Sequence, residues 1–178
     1  AFGGIIAVNR PVDDPFADNL GSLFVESIAA PGFSESAQSK LAQTRKNCRL
    51  IRIPQPFDGA ELEIRNVHHG YLVQRADTGD PEGTLLTTVS SRTPTDIELS
   101  ALQFAWKCVQ HVKSNAIVLG VPGMTIGIGG GLPSRVDAVK LAIEKAGERA
   151  QGAVMASDAF FPFPDGLEIA AKAGVTAV

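Results

Sequence analysis

Short apolar runs alternate with amphipathic segments along the whole chain. A β-branched run at 3–9 predicts a buried strand, because Val and Ile favour strands. Alternating or apolar runs predict further strands in both halves, at 49–54, 61–65, 70–74, 116–120, 124–129, 152–157 and 175–178. Strands interleaved with helices predict an α/β protein with a mixed or parallel sheet.

Helices are predicted between these strands. Phe16, Leu20, Leu23, Phe24 and Ile28 recur at helical spacing, which predicts one amphipathic helix ending before Pro31. Capping residues predict the other helices, with Ser34 ahead of 35–43, Thr93 to Glu98 opening one through about 112, Ser134 ahead of 135–149, and a last helix at 165–174.

Composition narrows the class of protein. The chain has 178 residues, of which 44% are hydrophobic and 20% charged, as in an ordinary globular domain or part of a larger one. A net charge of −3 without a long basic run argues against nucleic acid as a partner, and no apolar stretch is long enough to cross a membrane. Cys48 and Cys108 are too few and too far apart for a zinc site or a disulfide framework, so a cytoplasmic protein without a metal is expected.

A glycine cluster at 127–131 is the first candidate site. It lies between a predicted strand and the helix that Arg135 begins, where backbone N–H groups and a guanidinium can meet a phosphate. The spacing is neither a dinucleotide fingerprint, since Leu132 stands where the third glycine is required, nor a P-loop. Phosphate binding and a plain tight turn both remain open at this point.

Two further stretches carry polar groups beside apolar ones. In "SDAFFPFPDG" (157–166), Phe160, Phe161 and Phe163 suit a flat heterocycle and Asp165 suits an amino-pyrimidine edge. The residues by themselves favour a hydrophobic plug, with Asp165 capping the next helix. Asn115, at a helix-to-strand junction, can read another amide or serve as a turn residue.

The histidines give weak evidence for catalysis. His68 and His69 precede Gly70 in a predicted turn, and His111 falls in a predicted helix, where a structural role is the commoner one. No zinc-binding spacing accompanies them, and no nucleophile motif supports covalent catalysis.

Several long motifs in one order carry a resemblance to a known family. "AFGGIIAVNRPVD", "APGF", "RTPTDIEL", "FAWKCVQHVKSNAIVL", "TIGIGGG", "SRVDAVKLA" and "SDAFFPFPDG" resemble the aminoimidazole-carboxamide ribonucleotide (AICAR) formyltransferase domain of the bifunctional purine-biosynthesis family that also carries IMP cyclohydrolase. The resemblance covers essentially the whole chain.

The resemblance implies a fold, a reaction and partners. The fold is a duplicated cytidine-deaminase-like three-layer α/β unit with a mixed sheet and no zinc; residues 1–90 correspond to the later part of the first unit and 91–178 to most of the second. The reaction moves a formyl group from 10-formyltetrahydrofolate, the co-substrate, to AICAR, and the family works as a homodimer.

Site residues follow from the matching motifs. The resemblance implies that Gly3, Glu26, Asn115, Arg135 and Phe160 bind substrate and that Phe2, Val136, Phe160 and Asp165 bind folate. Asn115 orients the reacting group, and no metal takes part.

The chain departs from the family pattern in ways that bear on activity. The family's catalytic Lys-His pair precedes the "AFGG" motif, further binding motifs follow "VTAV", and Leu132 replaces a glutamine. A truncated, inactive part of the formyltransferase is therefore expected. A non-catalytic nucleotide- and folate-binding module is the alternative, and a dinucleotide-dependent oxidoreductase is disfavoured by Leu132.

Overall fold

A computed structural model describes residues 3–53, 62–81, 83–84 and 86–178, which form two compact units, Ala1–Ala76 and Asp77–Val178. The boundary falls at the start of the polar loop that precedes the second half. That the halves 1–90 and 91–178 are deaminase-like units stays a prediction. No helix in the described part of the chain has the length and apolar character needed to cross a membrane.

The first unit is built on a three-stranded parallel sheet. Its elements are β1 (Gly4–Ala7), α1 (Asp14–Asn19), β2 (Val25–Ala30), α2 (Glu35–Thr44) and β3 (Arg49–Arg52), and the strand order is β1-β2-β3. Helices connect the strands because parallel strands need a crossover. Ile28 in the central strand and Leu41 in α2 are buried in the core of this unit.

The prediction of one helix through Ile28 was wrong. The helix ends at Asn19, Gly21 has a positive φ of 50°, and Val25–Ala30 forms the middle strand of the sheet. The apolar spacing of 16–28 mimicked a helix because a short helix and a buried strand follow each other closely. Pairing with strands on both sides decided the conformation, and a helical pattern cannot report such pairing.

The first unit also contains a separate antiparallel hairpin. Strand β4 (Leu62–Val67) pairs with β5 (Gly70–Arg75) from Leu62 opposite Arg75 to Val67 opposite Gly70. His68 and His69 form the predicted turn, and His69 has a φ of 62°. The two strands predicted in this part of the sequence are thus confirmed.

The second unit is a three-layer α/β/α arrangement. It comprises α3 (Asp96–Val109), β6 (Ile117–Val121), β7 (Met124–Gly129), α4 (Arg135–Ala146), a 3-10 turn (Gly147–Ala150), β8 (Val154–Ser157) and α5 (Asp165–Lys172). The sheet is antiparallel with order β7-β6-β8. Alternate residues of β6 separate the layers: Val118 packs with α3, and Leu119 packs with α4 and α5. The α/β class is thus confirmed, and in the described part of the chain parallel and antiparallel pairings occur in separate sheets and not in one mixed sheet.

Helix starts agree well with the sequence. Thr95 and Glu98 form a reciprocal capping box, and Ser34 and Ser134 each accept a hydrogen bond from the first turn of their helix.

Two predictions for the second unit were wrong. Residues 175–178 form no strand beyond an isolated parallel bridge between Val154 and Ala177. His111 likewise lies past the end of α3, in a turn rather than in the helix.

Candidate active site

The sheet of the second unit brings three chain segments together at one end. Strand β6 is central, and its residue Ile117 lies opposite Ser157 of antiparallel β8. Residues just before β6 therefore lie beside those just after β8, and the N–H of Asp158 donates to the carbonyl of Ala116 at 3.2 Å. Helix α4, which Ser134 caps and Arg135 begins, opens at the same end.

Arg135 links these segments through its guanidinium. Nη1 donates to Ser157 Oγ at 2.8 Å and to the carboxylate Oδ1 of Asp158, and Nη2 donates to Asn115 Oδ1 at 2.8 Å. The Arg135 side chain is only 12% exposed and that of Asp158 17%. The planar fork of the guanidinium is thus held by three different side chains, and within the described part of the chain these contacts use three of its five N–H donors.

Asn115 is held from both sides. Its Nδ2 donates to the carbonyls of Leu132 at 3.0 Å and Pro133 at 2.9 Å, while Oδ1 accepts from Arg135. The Ser114–Asn115 peptide bond is cis. With both amide hydrogens used, the side chain retains one acceptor position on Oδ1.

Asp158 stays ionised in this environment. Partial burial of the carboxyl disfavours its charge, but hydrogen bonds from Arg135, the Ser114 side chain and the N–H of Ala116, together with the charge of Arg135, outweigh that effect and lower the pKa of Asp158 below its ordinary value. The Ala116 N–H donates to Oδ1 at 3.0 Å. The carboxylate therefore joins the turn before β6 to the first residue of α4.

The glycine cluster has a packing role that the sequence could not separate from phosphate binding. A Cβ on Gly127 would lie 2.1 Å from the carbonyl oxygen of Ala142, and one on Gly129 would lie 2.0 Å from that of Ala138. Both glycines belong to β7, and they let α4 lie directly on the strand. Gly131, with a φ of 72°, makes the turn that follows, and its N–H donates to the Lys113 carbonyl at 2.6 Å.

The phenylalanine loop divides its side chains between core and solvent. Phe161 packs against the core cluster and closely approaches Gly166, where an added Cβ would lie 2.9 Å from its ring. Phe160 is 80% exposed. Asp165 begins α5 and accepts from the N–H of Gly166 at 2.8 Å, and Val136 is half-buried at the start of α4. Phe161 thus takes the place in the core that the sequence favoured, whereas Asp165 is the first residue of α5 and not its N-cap, which is Pro164. That Phe160 and Asp165 bind a heterocycle stays a prediction.

Two predicted binding residues come together in the first unit. Gly3, with a φ of 83°, leads into β1, and Glu26 lies on neighbouring β2. A Cβ on Gly3 would lie 2.1 Å from Glu26 Oε1, but this exposed carboxylate can move aside, so the positive φ of Gly3 is the stronger reason for glycine at this place. Phe2 lies outside the described residues.

None of the hydrogen bonds described for the Asn115–Arg135–Asp158 cluster involves a histidine. His68 and His69 are exposed in the hairpin turn, with ring centroids 3.9 Å apart. Among the residues that the structure describes, no group of three or more His, Cys, Asp or Glu is placed to hold a metal ion.

Comparison with known proteins identifies the family. A family model described as the AICARFT/IMPCHase bienzyme matches residues 1–145. The chain belongs to the AICARFT/IMPCHase bienzyme family. It is 51% identical over 180 residues to a protein of Desulfitobacterium hafniense (strain DSM 10664 / DCB-2), 51% over 178 residues to one of Halalkalibacterium halodurans, and 48% over 183 residues to one of Sorangium cellulosum.

These relatives are each named bifunctional purine biosynthesis protein PurH. The alignments cover 99–100% of this chain and 34–35% of the relatives. The chain thus spans about a third of the length of the AICARFT/IMPCHase proteins that it matches.

Sequence reasoning missed the residues that hold the cluster of this family member together. Asp158 and Ser157 were seen only as the start of the phenylalanine loop, although both bind Arg135. Their position at the end of a buried strand was the available signal, because strand ends line crevices in α/β sheets. The sequence could not show that β8 pairs with β6. This pairing places Asp158 beside Ala116, where Arg135 contacts both Asp158 and Asn115.

Proposed function

We propose that the chain is part of an AICAR formyltransferase, which transfers a formyl group from 10-formyltetrahydrofolate to AICAR in purine biosynthesis. The observation that carries this proposal is the Asn115–Arg135–Asp158 cluster beside the exposed Phe160, in a member of the AICARFT/IMPCHase family. On this proposal the whole enzyme works as a cytoplasmic homodimer that uses no metal, and Gly3 and Glu26 also bind substrate.

The cluster suits a substrate that carries both an amide and an anion. Asn115 Oδ1 keeps one acceptor position, which can take an N–H from the carboxamide or the amine of AICAR. Arg135 keeps two donors, which can bind an acceptor on the same nucleotide with the assistance of charge. Because Asp158 already balances the charge of Arg135, the guanidinium remains oriented before the substrate arrives.

The folate is assigned to the apolar side of the same region. Phe160 offers an exposed ring for a flat heterocycle, and Val136 lies half-buried just after Arg135. Asp165 uses Oδ1 for the Gly166 N–H, so its other carboxylate oxygen is the candidate acceptor for an amino-pyrimidine edge.

The chemistry requires more than positioning. The AICAR amine is a weak nucleophile because its lone pair is delocalised into the ring and carboxamide, so attack needs proton removal and stabilisation of a tetrahedral oxyanion. Asn115, Arg135 and Asp158 include no group suited to accept that proton, because Asp158 is held as a carboxylate of lowered pKa. We therefore assign to this cluster the orientation of AICAR and assign proton transfer to other groups of the enzyme.

A non-catalytic module that binds nucleotide and folate is the second candidate. The observation that favours it is that Asn115 and Arg135 use most of their hydrogen-bonding groups for contacts within the chain, as in a scaffold. Both candidate functions are compatible with a 178-residue chain that binds ligands without turnover. Turnover therefore has to be measured in a protein of full length.

The deciding experiment uses a chimera in which this chain replaces the matching third of the Desulfitobacterium hafniense relative. Formyl transfer from 10-formyltetrahydrofolate to AICAR is measured in the chimera, and calorimetry measures the binding of AICAR and of 10-formyltetrahydrofolate by the same chimera. Activity that falls at least tenfold on R135A, while K140A on the exposed side of α4 leaves it unchanged, supports the formyltransferase. A folded chimera that binds AICAR but has no activity supports the binding module, and a folded chimera that binds neither ligand excludes both.

A further inference from the structure

The hydroxyl of Ser157 makes two hydrogen bonds that lead in different directions. Its oxygen accepts from Arg135 Nη1 at 2.8 Å, and its hydrogen is donated to the carbonyl oxygen of Ala159 at 2.7 Å. A guanidinium has donors only, so Ser157 must accept from Arg135, and the single hydrogen of the hydroxyl is left for Ala159. The two hydrogen bonds therefore form a chain that runs from Arg135 through Ser157 to Ala159.

The carbonyl of Ala159 belongs to the same peptide plane as the N–H of Phe160. Because the peptide bond is planar, a hydrogen bond that fixes this carbonyl also fixes the direction in which the backbone enters Phe160. A serine side chain that binds the backbone two residues away is a common local arrangement. Ser157 thus acts on Phe160 through the main chain.

Packing gives the Phe160 ring little support. Its side chain is 80% exposed, whereas the next residue, Phe161, packs against the core of the second unit. On the other side, the N–H of Asp158 donates to the carbonyl of Ala116 at 3.2 Å. The loop is thus anchored at 158 and at 161, and between these anchors Ser157 supplies a hydrogen bond to the backbone.

We propose that Ser157 is a positioning residue that holds Phe160 in a fixed direction relative to the guanidinium of Arg135. The inference rests on the proposed function, in which Arg135 contacts AICAR and Phe160 contacts the folate. The formyl group passes from one ligand to the other, so the relative placement of the two ligands affects the rate of transfer. The charge of the guanidinium polarises the hydroxyl and strengthens its hydrogen bond to Ala159, so the direction of Phe160 depends on the contact with Arg135.

Fluorine NMR tests this link without any ligand. In the 178-residue chain labelled with 4-fluorophenylalanine, the signal of Phe160 is the one that is missing from F160L. That signal should shift in S157A, which lacks the hydroxyl, and should stay near its wild-type position in S157T, which keeps it. S100A, at an exposed serine of α3, is the matched control and should leave the signal unchanged.

Kinetics of the chimera test whether the link serves the reaction. Loss of the hydrogen bond to Ala159 should raise the KM for 10-formyltetrahydrofolate roughly fivefold in S157A, and the KM for AICAR should rise as well because Arg135 loses a partner. S157T should restore both KM values. In the F160A background, S157A should raise the KM for the folate no further, because Phe160 is the group through which Ser157 acts.

Three outcomes would overturn the proposal. An unshifted Phe160 signal in S157A would show that the hydroxyl does not direct the ring, and equal shifts in S157A and S157T would attribute the change to side-chain size. A folate KM that S157A raises equally with and without Phe160 would indicate a general loss of structure. A chimera without formyl transfer would refute the proposed function instead, and the fluorine signal would still decide the role of Ser157.

Discussion

The guanidinium of Arg135 and the carboxylate of Asp158 form a largely buried ion pair that joins the start of α4 to the end of β8. Each partner holds a second contact within the cluster, Arg135 with Asn115 and Asp158 with the N–H of Ala116. A buried charge loses its hydration, and only a well-placed partner offsets that loss. The pair therefore makes the geometry of the candidate site depend on the fold of the second unit.

Removing Asp158 should destabilise the second unit. D158A leaves Arg135 buried without its charge partner, and we expect a loss of about 3 kcal/mol in the free energy of unfolding. D158N keeps an oxygen for the Ala116 N–H and should lose about 1.5 kcal/mol. The chain has one tryptophan, Trp106, in α3, so its fluorescence during urea unfolding reports this unit.

The contribution of Asp158 to the free energy of unfolding should depend on pH. The pKa of Asp158 is lowered in the folded state, so its stabilisation is complete above the unfolded pKa, about 4, and is lost as pH falls through the lower folded pKa. The difference in unfolding free energy between the wild type and D158N should be constant from about pH 5 to 7 and shrink below about pH 4. A difference that grows on acidification would contradict the assigned ionisation of Asp158.

Replacing the guanidinium of Arg135 by the ammonium group of lysine should weaken AICAR binding. Lysine keeps the charge but cannot contact Asn115, Ser157 and Asp158 together, so R135K in the chimera should raise the KM for AICAR about tenfold. The KM for 10-formyltetrahydrofolate should change little. K140A, on the solvent side of the same helix, is the matched control. Equal increases in both KM values would indicate a general loss of structure.

Truncation of two neighbouring phenylalanines should affect different properties, namely stability for Phe161 and folate binding for Phe160. Phe161 packs on the core, so F161A should lower the free energy of unfolding by about 2 kcal/mol. Phe160 is exposed, so F160A should change stability by less than about 0.5 kcal/mol and instead raise the KM for the folate in the chimera. Wild-type kinetics in F160A would remove Phe160 from the proposed site.

The glycines of β7 should tolerate no side chain. G129A forces a methyl group against the Ala138 carbonyl, which requires α4 to move, and we expect a loss of about 3 kcal/mol in the Trp106-monitored transition. Gly70 has no atom within 4 Å of an added Cβ, so G70A is the matched control and should leave that transition unchanged. A stable G129A would show that the strand and helix are less closely packed than described.

Local signals in the sequence were sufficient for much of this protein. The capping box at Thr95 and Glu98 and the cap at Ser134 placed helix starts correctly, because a cap is satisfied by residues a few positions away. The order of motifs was sufficient for the family, which the family model over 1–145 confirmed. The helix predicted through Ile28 failed because β2 is defined by strands on either side of it.

By itself, then, the sequence determined the helix starts, the α/β class and the AICARFT/IMPCHase family, because each depends on short spacings or on collinear motifs. Only the tertiary structure decided that Gly127 and Gly129 serve helix packing, that Phe161 is core while Phe160 is exposed, and that Asp158 holds Arg135. The physical reason is that packing and ion pairs depend on which strands become neighbours. The antiparallel pairing of β6 and β8 brings together residues that are 42 positions apart, such as Ala116 and Asp158.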